Sequence, residues 1–167
     1  METITSKRTS TEALIILYDL HTKLLGNVLA DISDKDAQNR MGTQANHIAW
    51  IAGSLVYSRY ALANIFGVDV KQTSEKLFED FKGIQDNVTY PPLAEFKKDW
   101  ESITPALKNA LANLSEDQLN GPDPFNMPGG DFTIFDSLTF SIDRESYCIG
   151  QIGLYRRLLG YEAMKYS

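Results

Sequence analysis

The chain has 167 residues, 43% hydrophobic and 23% charged, the proportions of one folded domain whose core needs no staples. Its 16 basic and 22 acidic side chains leave a net charge of −6 and a pI near 4.9, which argues against nucleic acid or an anionic membrane surface as a partner, since both require clustered cations. The single cysteine, Cys148, excludes an intrachain disulfide; no apolar run reaches the ~20 residues of a spanning helix, and the start METITSKRTSTEA lacks a leader's apolar segment, so the expectation is a cytoplasmic protein with a reduced thiol.

The first helix is expected over about 10–30. Thr9 and Glu12 stand at capping-box spacing, and Leu14, Leu17, Leu20, Leu24 and Val28 recur at steps of three and four. A second helix starts near Thr43, a good N-cap residue, and runs to Phe66 with Gly67 behind it. His47, Ile51, Ser54, Leu55 and Ser58 share one of its faces. Residues 68–90 read as a long crossover, with SEKLFEDFKG as a short helix capped by Ser74. Pro91 and Pro92 open the third long helix. Its stripe of Leu93, Phe96, Trp100, Ile103, Leu107, Leu111 and Leu114 is the most regular in the chain, and Pro105 predicts a kink or a lost backbone bond. Segment 115–132, with three prolines and three glycines, is a loop. Thr133 and Asp136 open the fourth helix, which ends at Leu159 before Gly160.

That fourth helix is apolar on two flanks. Phe135, Leu138, Ile142 and Ile149 lie on one, and Phe140, Tyr147, Leu154 and Leu158 on the other. Burial on both sides predicts a homodimer interface or a cover of loops, and Gly150 and Gly153 would let another backbone approach. With no strand alternation and no repeat, the chain reads as an all-α four-helix bundle. It forms one domain, 1–167, with a long crossover between helices two and three.

No Gly-rich phosphate loop, nucleophile elbow or His-Glu-x-x-His is present, and His21 and His47 are the only histidines. The strings NHIAWIAGSLVYSRY from Asn46 to Tyr60 and RESYCIGQIGLYRRLLG from Arg144 to Gly160 resemble the DinB/YfiT-like superfamily of bacterial four-helix bundles. The resemblance implies a homodimer and a divalent-metal site. The site is built by one histidine near the start of helix two and a His-x-x-x-His pair on helix four. Some members are thiol-dependent transferases or isomerases; many have no known activity. His47 fills the helix-two position, while Arg144 and Cys148 stand where the two helix-four histidines belong. Their spacing of four keeps both side chains on one face. Arginine cannot ligate a metal and repels a divalent ion, so the metal site reads as degenerate. His47 and Cys148 are the remaining candidate ligands, with His21 as a third if one is recruited. No cofactor is expected, and zinc, nickel or manganese is disfavoured.

The substitution suggests a different chemistry. Arg144 would fork onto the carboxylate or phosphate of a small anionic ligand. It would also lower the pKa of Cys148 one turn away, with His47 as a base toward the thiol. Glu145 and Gln151 match the family string and would support these groups by hydrogen bonds. Plainer roles stand beside these: Cys148 as a small core residue, Arg144 paired with Asp143, Glu145 or another helix's carboxylate, and His47 and His21 as buried structural groups. Trp50 and Tyr147 would be packing residues, the acidic cluster at 75–80 solvated, and Arg156–Arg157 a solvated pair at the helix C-terminus. Three classes of function follow: a small-ligand-binding or interaction module without its metal, a divergent thiol-dependent transferase or hydrolase-like enzyme using His47, Arg144 and Cys148, or a bundle with a structural or regulatory role. The substitutions at 144 and 148 favour the first.

Overall fold

The computed structural model describes residues 10–166, with side chains from Thr11 onward; Thr9, half of the expected first capping box, lies outside them. The elements are α1 (Ser10–Val28), α2 (Asp34–Ala37), α3 (Ile48–Ile65), α4 (Leu93–Ala112), α5 (Glu116–Leu119) and α6 (Ile134–Leu158). The described residues contain no strand, only one isolated bridge between Pro122 and Thr133. None of the described helices is long and apolar enough to cross a membrane. The long helices pack in a cycle, α3 on α4, α4 on α1, α1 on α6 and α6 on α3.

On α1, Leu14, Leu24 and Val28 are buried as their spacing predicts, but Leu17 and Leu20 are exposed. Tyr18, His21 and Leu25 take the inward positions instead. Leucines populate both faces of this helix, so hydropathy alone puts the stripe out of phase; inside, the Tyr18 hydroxyl donates to the Thr104 carbonyl and His21 lies beside Glu145. α1 ends under Arg156 of α6, which donates to the carbonyls of Val28, Ala30 and Glu162. Arg156 is therefore buried rather than solvated, because it satisfies carbonyls that the end of α1 leaves without intrahelical donors. Arg157 remains exposed.

α3 starts at Ile48, not Thr43. The hydroxyl of Thr43 donates to the Arg40 carbonyl, and the Arg40 guanidinium holds the carbonyls of Gln44 and Ala45 at 2.6 and 2.9 Å. These bonds fix the stretch as a loop, and His47 becomes the N-cap. At the other end Gly67 turns the chain with φ +83, as expected.

The crossover forms two 3-10 turns, Glu75–Leu77 and Glu79–Phe81, rather than one helix, and Ser74 makes no side-chain cap. Asp80 and Phe81 both adopt left-handed backbone, φ 55 and 54, which no continuing helix accommodates. The segment is anchored by Asp99 of α4, whose carboxylate accepts from the Thr73 amide and hydroxyl, both at 2.9 Å. Phe78 lies over Gly53 of α3, where an added Cβ would come within 2.2 Å of the ring. Only glycine leaves room for it.

α4 carries its expected stripe, buried from Leu93 to Leu111 with Leu114 half-buried, and continues through Pro105 on its solvent side. Its first amide, on Leu93, donates to Asp34 of α2 at 2.8 Å. Within the expected loop, α5 adds one turn closed by a Ser115–Gln118 capping box. The Thr133–Asp136 box opens α6 as its spacing predicts. Leu138, Ile142 and Ile149 of α6 are buried, whereas Phe140, Tyr147, Leu154 and Leu158 are each more than half exposed. The loops do not cover that second flank, and Tyr147 is no packing residue. An added Cβ at Gly150 would meet open space, and one at Gly153 only Val28 of α1 at 3.8 Å.

Candidate functional site

Two arginines cross the α3–α6 seam in opposite directions. Arg59, the one charged residue of α3, reaches Glu145 of α6 through a fork of 2.6 and 2.9 Å. Its remaining donors reach Thr22 and Thr104 hydroxyls at 2.8 and 2.9 Å and the Tyr18 carbonyl at 3.4 Å. All five of its N–H groups are therefore directed at acceptors. The guanidinium carbon lies 3.8 Å from the Tyr18 ring centre and 3.4 Å from that of Trp100, a cation–π sandwich. His21 Nδ1 sits 3.3 Å from Glu145. Burial opposes ionisation of Glu145, but Arg59, with His21 adding to it, outweighs burial and holds the carboxyl below its ordinary value. Burial also pushes the Tyr18 phenol up to about 12. Glu145 thus supports Arg59 rather than Arg144. Sequence reasoning missed Arg59; the available signal was a lone charge within an otherwise apolar and small-residue helix.

Arg144 reaches the other way, from α6 to two hydroxyls of α3, Ser54 Oγ at 2.6 Å and Ser58 Oγ at 2.9 Å. No carboxylate of the described residues lies within 4 Å of it, so the expected pairing with Asp143 or Glu145 does not form. Beside it opens a cavity of about 830 Å³ between α3, α6, the crossover and the loop before α6. Its walls are aromatic, with Trp50, Tyr57, Phe78, Phe81, Phe125 and Phe132 among them. Phe81 stands edge-on to Tyr57 at 5.6 Å and to Phe125 at 6.1 Å. The far loop is shaped by Asp123, which accepts from the Ser137 hydroxyl and from the amides of Phe125 and Met127.

Cys148 and Gln151 line a second, smaller cleft of about 570 Å³, which Arg144 also lines. The thiol is buried, and burial outweighs the Arg144 charge, so its pKa is raised rather than lowered. The expectation that Arg144 activates it is corrected on this ground. His47 lines neither cavity. Its Nδ1 accepts from the Trp50 amide at 3.0 Å, its ring stands edge-on to Tyr90 at 4.9 Å, and burial lowers its pKa. The sequence places His47, Arg144 and Cys148 in one cleft; the structure brings only Arg144 and Cys148 together there. These groups do not fit a three-histidine metal site, because one imidazole nitrogen is occupied by a helix cap and a guanidinium offers no lone pair. Among the described residues no three His, Cys, Asp or Glu side chains are grouped as metal ligands, and His21 faces Glu145 instead.

No protein-family model and no curated protein matches the chain. Among solved structures, a conserved protein from Enterococcus faecalis superposes with a TM-score of 0.68 at 13% identity, over 90% of this chain and 97% of that one. At that identity the likeness concerns the fold, so this chain shares an all-helical architecture with a conserved bacterial protein.

Proposed function

We propose that the chain is a cytoplasmic DinB/YfiT-like four-helix bundle that no longer uses the family's metal and binds a small anionic ligand in the cavity beside Arg144. One observation carries this reading. A half-buried guanidinium is positioned by two serine hydroxyls at the wall of a large cavity, without a carboxylate of the described residues to neutralise it. Such a cation is oriented in advance for a forked anion contact. The flank of α6 formed by Phe140, Tyr147, Leu154 and Leu158, with Leu17 and Leu20 of α1 also exposed, supports a homodimer.

The test is thermal unfolding with a panel of small anions. A ligand at a hundred times its Kd adds ~2.7 kcal/mol, which raises Tm by several degrees in a domain of this size. The rise is expected in the unaltered protein and absent in Arg144→Gln. A panel that shifts neither protein, or both equally, overturns the reading. Stoichiometric metal in elemental analysis of the purified protein overturns its metal-free part, and a monomer in light scattering removes the dimer.

A further inference from the structure

The small-anion reading leaves the rest of the ligand open, and the cavity specifies it. We infer that the cavity takes a monocarboxylate with an apolar body, its head on Arg144 and its body against the aromatic wall. This rests on the small-anion reading and narrows it to one chemical class.

Three observations converge. First, Arg144 uses one N–H on Ser54 and one on Ser58, which leaves three of a guanidinium's five donors without an acceptor among the described residues. Second, Ser54 is more than nine-tenths buried yet lines the same cavity. Its oxygen accepts from Arg144, and its hydroxyl hydrogen has no acceptor among the described residues. Donors left unmade in a low-dielectric wall are costly, and a carboxylate at Arg144 would give the Ser54 hydroxyl the acceptor it lacks. Third, the remainder of the cavity offers aromatic rings, with Phe81 held at the rim on left-handed backbone. At about 830 Å³ it is far larger than an inorganic anion needs and lies in the upper part of the ~300–1,000 Å³ range of ligand pockets.

Charge argues for one negative charge rather than two. Of the two cations on the cavity wall, Lys82 is paired with Glu79 at 2.7 Å and Arg144 with no carboxylate of the described residues, while Asp136 and Asp143 line the same cavity. A second negative charge would face those carboxylates in a largely apolar cavity, whereas a monocarboxylate is matched by the one guanidinium fork.

The experiment is calorimetric titration of the full chain with hexanoate, octanoate, decanoate, octanamide and inorganic phosphate, repeated on Arg144→Gln and Ser54→Ala. Octanoate is expected to bind, with affinity rising about fourfold per added CH₂ while the cavity fills. Octanamide should bind at least ~tenfold more weakly, because it lacks the charge-assisted fork. Arg144→Gln should erase the difference between octanoate and octanamide while unfolding cooperatively like the parent. Ser54→Ala should weaken octanoate by several-fold and octanamide by less, since a neutral carbonyl is the weaker acceptor. Arg144-dependent binding of phosphate without octanoate binding would overturn the apolar-body assignment and leave the small-anion reading standing. Equal binding of octanoate and octanamide, or no binding by any of the anions, would overturn both. Affinity that does not vary with chain length would place the body outside the cavity and overturn the inference alone.

Discussion

The seam between α3 and α6 holds the same cation in two opposite conditions. At positions 59 and 145 the arginine is on α3 and its partner on α6, the guanidinium is 1% exposed, and every donor has an acceptor. At positions 58 and 144, one residue away on each helix, the arginine is on α6 and its partners are neutral hydroxyls. The first arrangement is closed, since adding a ligand would displace a bond already made. The second is open, oriented but not neutralised, and faces a cavity. A charged residue between helices therefore indicates function only when its own fold leaves it incomplete.

The largest effect should come from breaking the closed side. Glu145→Gln leaves the buried Arg59 without its counter-charge, at a cost of ~3–5 kcal/mol, or a fall in Tm of roughly 6–20 °C in a thermal scan. The same variant tests the pH response. The Glu145 pKa is depressed in the folded protein, so its stabilisation is present above the ordinary value of 4.5 and is lost as pH falls through the folded value. Glu145→Gln should flatten that part of the acid-side loss. A variant as stable as the parent would show that the closed arginine is held by its aromatic sandwich and its neutral acceptors, Thr22, Thr104 and the Tyr18 carbonyl, without need of a counter-charge.

Next comes the wall of the open side. Gly53→Ala puts a Cβ 2.2 Å from a buried Phe78 ring atom, and overpacking of this kind costs ~1–3 kcal/mol. Phe78 lines the cavity, so the displaced ring should also weaken binding there. Arg144→Gln should do far less to stability, within about 1 kcal/mol, because its serine partners border the cavity, where water can replace it. A loss as large as that of Glu145→Gln would make Arg144 a structural residue and erase the contrast.

The smallest signal concerns Cys148. With its pKa raised above the ordinary 9.0 by burial, alkylation by iodoacetamide at pH 7 should be at least ~tenfold slower than that of an exposed thiol. Faster modification would return the thiol to the candidate chemistry.

The helices with local signals were legible in the chain. The stripe of α4, the Thr133–Asp136 box and the stop at Gly67 each depend on residues within a turn or two. The sequence also put Arg144 and Cys148 on one face of α6, where they line one cleft, since a spacing of four holds on any helix. What these groups meet was set by the packing of distant segments. Leucines on both sides of α1 left its inward face ambiguous until Arg59 drew Tyr18 and Thr22 toward itself. Thr43 looked like a helix start until Arg40 captured the carbonyls beside it. Glu145 stood next to Arg144 in the chain, yet consecutive residues on a helix point about 100° apart, so the two turned to different partners. The choice of partner depends on which side chains distant segments bring within a few ångströms, and no local pattern encodes that distance.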